Sequence, residues 1–184
     1  MTGAAKRGAV FLDRDGVLNQ DLGYVYRPAD LVWIEGAREA VRRINRAGLL
    51  AVVVTNQSGV ARGYYSEADV LALHAHMASE LAAAGARVDA FYYCPYHEQA
   101  VDSRYAAVDH PDRKPNPGML LRAIAELGID PARSLVIGDR ESDLEAGRRA
   151  GLRGALFADG SLDAFVAQAL KAMGLDLQFQ RRKP

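Results

Sequence analysis

Ala9-Val10-Phe11-Leu12-Asp13-Arg14-Asp15-Gly16 is an apolar run that stops on two carboxylates and a glycine. Such a run reads as a buried strand, with the polar residues at its carboxyl end. Outward from it the chain alternates. Gly36 to Ala47 reads as a helix, with Ala37, Val41 and Ile44 on one face and Gly48 as its stop. Leu49 to Val54 is again continuously apolar, as in a strand buried on both faces. Ser66-x-x-Asp69 resembles a capping box, and Val70, Leu73, His74, Met77 and Leu81 follow at helical spacing. Val88 to Tyr93 is strand-like. Asn116-Pro117 reads as a cap and first turn, opening a helix with Leu120, Ile124 and Leu127 before Gly128. A strand over Leu135 to Ile137, a helix over Leu144 to Ala150 and a strand over Ala155 to Ala158 complete the alternation. The last helix, Leu162 to Met173, places Leu162, Phe165, Ala169 and Met173 on one side. The pattern predicts an α/β fold whose mostly parallel sheet is covered by helices on both faces.

Composition narrows the class. With 184 residues, 49% hydrophobic and 25% charged, the chain is expected to form one domain, with its core over about 8–173. The end, 178–184, reads as a flexible, solvated terminus despite Arg181-Arg182-Lys183. Twenty-three Lys+Arg balance 23 Asp+Glu, which excludes nucleic-acid binding by bulk positive field and gives no hint of a membrane surface. No apolar run approaches the roughly 18 residues of a membrane span. Met1 to Gly8 lacks the apolar segment of a secretory signal, and Cys94 alone makes no disulfide framework. The expectation is a cytoplasmic monomer with a small-molecule substrate and neither nucleic acid nor membrane as partner.

In open α/β sheets the site lies beyond the carboxyl ends of the strands. There the sequence places Asp13-Arg14-Asp15-Gly16, Thr55-Asn56-Gln57-Ser58-Gly59, Cys94-Pro95 and Gly138-Asp139-Arg140-Glu141-Ser142-Asp143. Each polar residue alone reads as a loop start or helix cap. The set is harder to explain that way. Asp13, Asp15 and Asp139 together are unstable unless a cation shares their site, and hard oxygen ligands suit Mg²⁺. A cation and a lysine would neutralise a phosphate dianion so that a carboxylate can attack phosphorus. A second carboxylate two residues on can protonate the leaving oxygen and later deprotonate water.

Asp13-Arg14-Asp15-Gly16-Val17-Leu18-Asn19 resembles the first signature of the haloacid dehalogenase-like phosphatases. Thr55 resembles their second, Lys114 their third, and Gly138-Asp139 with Asp143 their fourth, in family order over residues 9–158. The resemblance implies a Rossmann-like three-layer sandwich and hydrolysis through an aspartyl-phosphate. It implies Asp13 as nucleophile, Asp15 as general acid/base, and Thr55 and Lys114 as holders of the transferring phosphoryl group. It also implies Mg²⁺ on Asp13, the Asp15 backbone carbonyl and Asp139. Asp143 reads equally as a reach toward metal-bound water and as a first-turn helix acid.

Asp21-Leu22-Gly23-Tyr24-Val25, the run from Thr55 to Gly63, Tyr92-Tyr93-Cys94-Pro95 and the run from Arg113 to Leu120 are similar to one branch of that family. Its members remove the C7 phosphate of a heptose 1,7-bisphosphate, in heptose synthesis for bacterial surface polysaccharides. The related histidinol-phosphate phosphatases share much of the pattern. Hydrolysis of histidinol phosphate or another small phosphomonoester is therefore the alternative. A catalytically inactive binding module ranks last, because Asp13, Asp15, Thr55, Lys114 and Asp139 are all intact. Between Asn19 and Val52 there is room for a loop and a helix but no inserted cap domain. Substrate selection then falls to Asp21, Gly23, Tyr24, Asn56, Gln57, Ser58, Arg113 and Arg140. The fork of Arg113 suits a second anionic group, although an exposed ion pair would also explain it.

Many members of the branch hold a structural zinc through a Cys-x-His pair and a Cys-x-Cys pair. Here those segments read Cys94-Pro95-Tyr96 and His110-Pro111-Asp112. Cys94, His97, His110 and Asp112 are permissible ligand types, but one thiol where closed sites use several predicts no structural zinc. Cys94 reads instead as a buried small hydrophobe. His74 reads as a core histidine with satisfied partners, His76 as a surface one, and Trp33 as packing near the loop after the first strand.

Overall fold

Five parallel strands organise residues 6–175, the part of the chain that the computed structural model describes. The predicted solvated end over 178–184 and residues 1–5 lie outside it. β1 (Ala9–Leu12) is central, between β2 (Leu50–Asn56) and β4 (Leu135–Gly138). The edges are β3 (Ala90–Cys94) and β5 (Arg153–Leu156), giving the order β3-β2-β1-β4-β5. Every neighbouring pair is parallel.

Side chains alternate across a strand, so the continuous apolar runs feed two cores at once. Val10, Leu12, Ala51 and Val53 pack under α1 (Ala37–Arg46), α2 (Glu67–Ala83) and α5 (Leu162–Ala172). Ala9, Phe11, Leu50, Val52 and Val54 face α3 (Gly118–Leu127) and α4 (Glu141–Arg149). The result is the expected three-layer sandwich. The α2 capping box forms as read: Ser66 Oγ accepts the Asp69 N–H at 3.2 Å, and Asp69 Oδ2 accepts the Ser66 N–H at 2.8 Å. Among the described residues no helix is long and apolar enough to cross a membrane.

Several boundaries differ from the sequence reading. β2 runs on through Thr55 and Asn56, which pair with Tyr93 and Cys94 of β3 instead of lying beyond the strand. α3 begins at Gly118 with Pro117 as its cap. The Asn116 side chain does not cap it, because its Oδ1 accepts from Arg149 Nη1 at 2.9 Å while its Nδ2 donates to Asp109 and the His110 carbonyl. α4 starts at Glu141, three residues before its first apolar side chain, because Asp143 Oδ2 accepts the Arg140 N–H at 3.1 Å and orders that polar turn. β5 covers 153–156 rather than 155–158, since its pairing follows β4 from Leu135 opposite Arg153 to Gly138 opposite Leu156. α5 buries Leu162, Val166 and Leu170, with Phe165, Ala169 and Met173 only half-buried beside them.

His74 is in the core, as predicted, but neither ring nitrogen has a partner. Its ring stacks on Phe91 at 4.6 Å. Burial, with the charge of Arg14 behind it, pushes the imidazole down to about 3. Such a histidine takes its proton only on unfolding, so stability falls as pH drops from 6.5 toward that value. Asp13 acts oppositely below about 7, where the buried carboxyl is protonated in the fold before it is in the unfolded chain. Comparison with His74→Leu cancels that contribution. Urea denaturation should show the wild type losing about 1 kcal/mol more than the variant between pH 6.5 and 5.5; equal losses would remove His74 as the cause.

Candidate active site

The chain leaves β1 for β2 and β3 on one side, then returns to β4 on the other side of β1. Beyond the carboxyl ends of β1 and β4 a crevice must therefore open. Asp13, whose N–H bonds the Ile137 carbonyl at 3.0 Å, stands on one wall and Asp139 on the other. Two glycines let them approach. At Gly16, with φ of +85°, a Cβ would lie 2.4 Å from Asp139 Oδ2. At Gly138 a Cβ would lie 2.1 Å from the Asp143 Cβ.

Lys114, only 5% exposed, reaches into this crevice from the loop before α3. Its Nζ lies 2.9 Å from Asp13 Oδ1 and 2.6 Å from Asp143 Oδ1, and donates to the Val54 carbonyl at 2.9 Å. Burial works to pull the Lys114 ammonium down, but the Asp13 and Asp143 carboxylates outweigh it and hold the pKa above its ordinary value. Burial pushes the Asp13 carboxyl up, with Lys114 pulling against it and Asp143 adding to it. The carboxyl of Asp139 is likewise raised, by burial and by Asp143.

One carboxylate oxygen from each of Asp13, Asp139 and Asp143 lies within 4.8 Å of the others. Asp139 Oδ1 is buried and has no hydrogen-bond partner. Three converging hard oxygens, two of them on carboxyls disfavoured as anions and one orphaned, are a donor set that fits a divalent cation. The Asp15 side chain stays outside that group. It binds Arg14, accepts from Asn19 Nδ2 at 2.9 Å on Oδ1 and from Gln57 Nε2 at 2.9 Å on Oδ2.

Above these groups lies a cavity of about 320 Å³. Asp13, Asp15, Thr55 and Lys114 line it, and so do all eight residues read as substrate contacts. Their side chains have distinct engagements. Asn56 exchanges two 3.1 Å hydrogen bonds with the Lys114 backbone, which fixes the lysine's origin. Gln57 donates to Thr55 Oγ1 as well as to Asp15 and accepts from Tyr65 Oη at 2.7 Å. Asp21 bonds the Gly23 N–H and pairs with Arg140 at 2.8 Å across the mouth. Tyr24, at φ of +54°, meets Tyr64 edge-on. Arg113 donates to the Tyr96 carbonyl at 3.3 Å, and Ser58 lines the wall.

Asp143, Tyr65, Ser142 and Arg14 were not among the predicted site residues. Asp143 is legible one helical turn after Asp139, but its spacing fits a reach toward metal-bound water and a first-turn helix acid equally. Tyr65 carries no signal, and Ser142 is readable only as part of the polar run that follows β4. Arg14 carries none either, because a charged residue at a strand end ordinarily reads as exposed and only the structure shows it fully buried.

The segment weighed for zinc is held by other contacts. His110 stacks on Tyr96 at 3.8 Å and accepts the Asp112 N–H, and Asp112 pairs with Arg122 at 2.6 Å. His97 accepts the Gln99 N–H and meets Arg62. Cys94 is a free, buried thiol that burial pushes up to about 11.

Comparisons with known proteins show the chain to be similar to HAD-like phosphatases. A family model described as HAD-hydrolase-like matches residues 112–176. The chain is 46% identical over 171 residues to the D-glycero-beta-D-manno-heptose-1,7-bisphosphate 7-phosphatase of Rhodopseudomonas palustris, covering 92% of this chain and 94% of that protein. A putative HAD-like phosphatase from Mesorhizobium loti superposes with a TM-score of 0.84 at 39% identity, over 95% of this chain and 90% of the other. The D,D-heptose 1,7-bisphosphate phosphatase of B. bronchiseptica, solved with magnesium and phosphate, superposes with a TM-score of 0.72 at 31% identity, over 90% and 99%.

Proposed function

The chain belongs to the heptose-1,7-bisphosphate 7-phosphatase family of the HAD-like hydrolases, and from that premise we propose that it removes the C7 phosphate of D-glycero-D-manno-heptose 1,7-bisphosphate in heptose supply for bacterial surface polysaccharides. It is a phosphatase. The observation that carries the substrate assignment is near-full-length identity of 46%, covering 92% and 94% of the two chains.

Asp13 acts as the nucleophile. Its carboxylate oxygen forms a bond to phosphorus as the bond from phosphorus to the C7 oxygen breaks, and Asp15 gives its proton to that oxygen. Asp15 then takes a proton from water, whose oxygen attacks phosphorus and releases inorganic phosphate and free Asp13. Lys114 and Thr55 hold the phosphoryl oxygens in position. Asp13, Asp139, Asp143 and the Asp15 backbone carbonyl would hold Mg²⁺. When bound, Mg²⁺ supplies neutralisation of the phosphate dianion and of the clustered carboxylates. Asp21, Gly23, Tyr24, Ser58, Arg113 and Arg140 form the walls that receive the sugar and its second phosphate. Asn56 and Gln57 serve by fixing Lys114, Thr55 and Asp15.

Phosphate release from heptose 1,7-bisphosphate and from histidinol phosphate, compared by kcat/KM, tests the assignment. Preference for the heptose supports it, and preference for histidinol phosphate replaces it. EDTA should stop turnover reversibly, with Mg²⁺ alone restoring it. Elemental analysis of untagged protein should find no stoichiometric zinc, because the segment from Cys94 to Asp112 offers one thiol and engages its histidines elsewhere. One zinc per chain would overturn that part alone.

A further inference from the structure

Arg14 is fully buried, with 0% of its surface exposed. A guanidinium so placed is retained only where its bonds need it. Nε and Nη2 lie 3.3 and 3.1 Å from Asp15 Oδ1, and Nη2 lies 2.9 Å from Asp15 Oδ2. The same Nη2 donates at 2.6 Å to the carbonyl of Val25. Val25 is itself buried, at the inner end of the loop whose Asp21, Gly23 and Tyr24 reach the cavity mouth. Asn19 and Gln57 also bond Asp15; Asn19 Nδ2 continues to the Gln20 carbonyl at 2.9 Å, before the loop's outer start, whereas Arg14 reaches Val25 at its buried inner end.

We propose that Arg14 is a positioning residue that ties the seating of the 21–25 loop to the aim of the Asp15 carboxyl, so that Asp15 is aligned for proton transfer when the loop rests on its substrate. The proposal builds on the phosphatase reading above. The side chain of Arg14 does not line the cavity and acts through Asp15. Its effect runs through Nη2, which bonds the Asp15 carboxylate and the Val25 carbonyl together, while Nε adds a second bond to Asp15 and the rigid plane fixes their relative direction. Lysine keeps the charge and loses that pairing.

The test separates positioning from scaffolding by leaving group. An aryl phosphate with a good leaving group needs no proton from Asp15, whereas a sugar phosphate does. Arg14→Lys should lower kcat on the sugar phosphate about 10- to 100-fold, a loss of the size that small misplacements cause, and leave the aryl phosphate nearly unchanged. In an Asp15→Asn background the same substitution should add almost nothing to the loss on the sugar phosphate. Equal losses on both substrates, or a full independent loss in that background, would overturn the proposal.

Wild-type turnover of the aryl phosphate that disappears in Asp13→Asn secures the underlying reading independently, and its absence would remove that reading and the proposal together.

Discussion

Asp13→Asn should abolish turnover, by about 10³-fold or more in kcat, while leaving the fold intact. The amide keeps nearly the same volume. Its Oδ1 can still accept the Arg14 N–H, a 2.7 Å bond in the wild type, and still face Lys114. What is lost is the negative oxygen that attacks phosphorus. The same substitution removes one of three crowded carboxylates, and the one whose carboxyl burial pushes up to about 7. Without a divalent cation the variant should therefore melt at or above the wild-type temperature, and Mg²⁺ should raise its Tm less than it raises that of the wild type. Thermal melts with and without Mg²⁺, beside steady-state assays, check both halves. Retention of more than a few per cent of activity would sink the covalent mechanism.

Lys114→Met should be costly in both activity and stability. The ammonium satisfies Asp13, Asp143 and the Val54 carbonyl at once, and all of these lie in the interior. Removing the cation leaves carboxylates buried without their counter-charge, which costs about 3–5 kcal/mol. For a domain of this size that corresponds to a Tm lower by roughly 10 °C. Acid should narrow the deficit, since a protonated Asp13 no longer needs the ammonium. Pairing the change with Asp13→Asn should cost less than the sum of the two single changes, because each removes the other's partner. Additive losses would mean that the Lys114–Asp13 contact contributes little.

Local pattern carried most of the fold. β1, β2 and β4 were readable because a strand buried on both faces leaves a continuous apolar run. Ser66 and Asp69 marked the start of α2 because capping is a local exchange of hydrogen bonds. Where boundaries moved, a distant group had intervened. The oxygen with which Asn116 would cap α3 accepts from Arg149 instead, and β5 ends at Leu156 because its partner β4 ends at Gly138. His74 was readable as core from helical spacing, yet its unpartnered nitrogens depend on what the sheet places opposite them, which is Phe91.

The candidate site divides in the same way. By itself the sequence placed Asp13, Asp15, Thr55 and Asp139 at one edge, because parallel strands deliver their carboxyl ends there, and the family resemblance added Lys114. It also identified the loops that supply the walls. Only the tertiary structure decided which carboxylates converge. Asp143 joins Asp13 and Asp139 around Lys114, while the Asp15 side chain turns aside to Arg14, Asn19 and Gln57. Spacing along a chain says which strand end a residue leaves, but the direction of its side chain is set by the strand order, by glycines 16 and 138 that permit close approach, and by a buried arginine that needs a carboxylate to offset its charge.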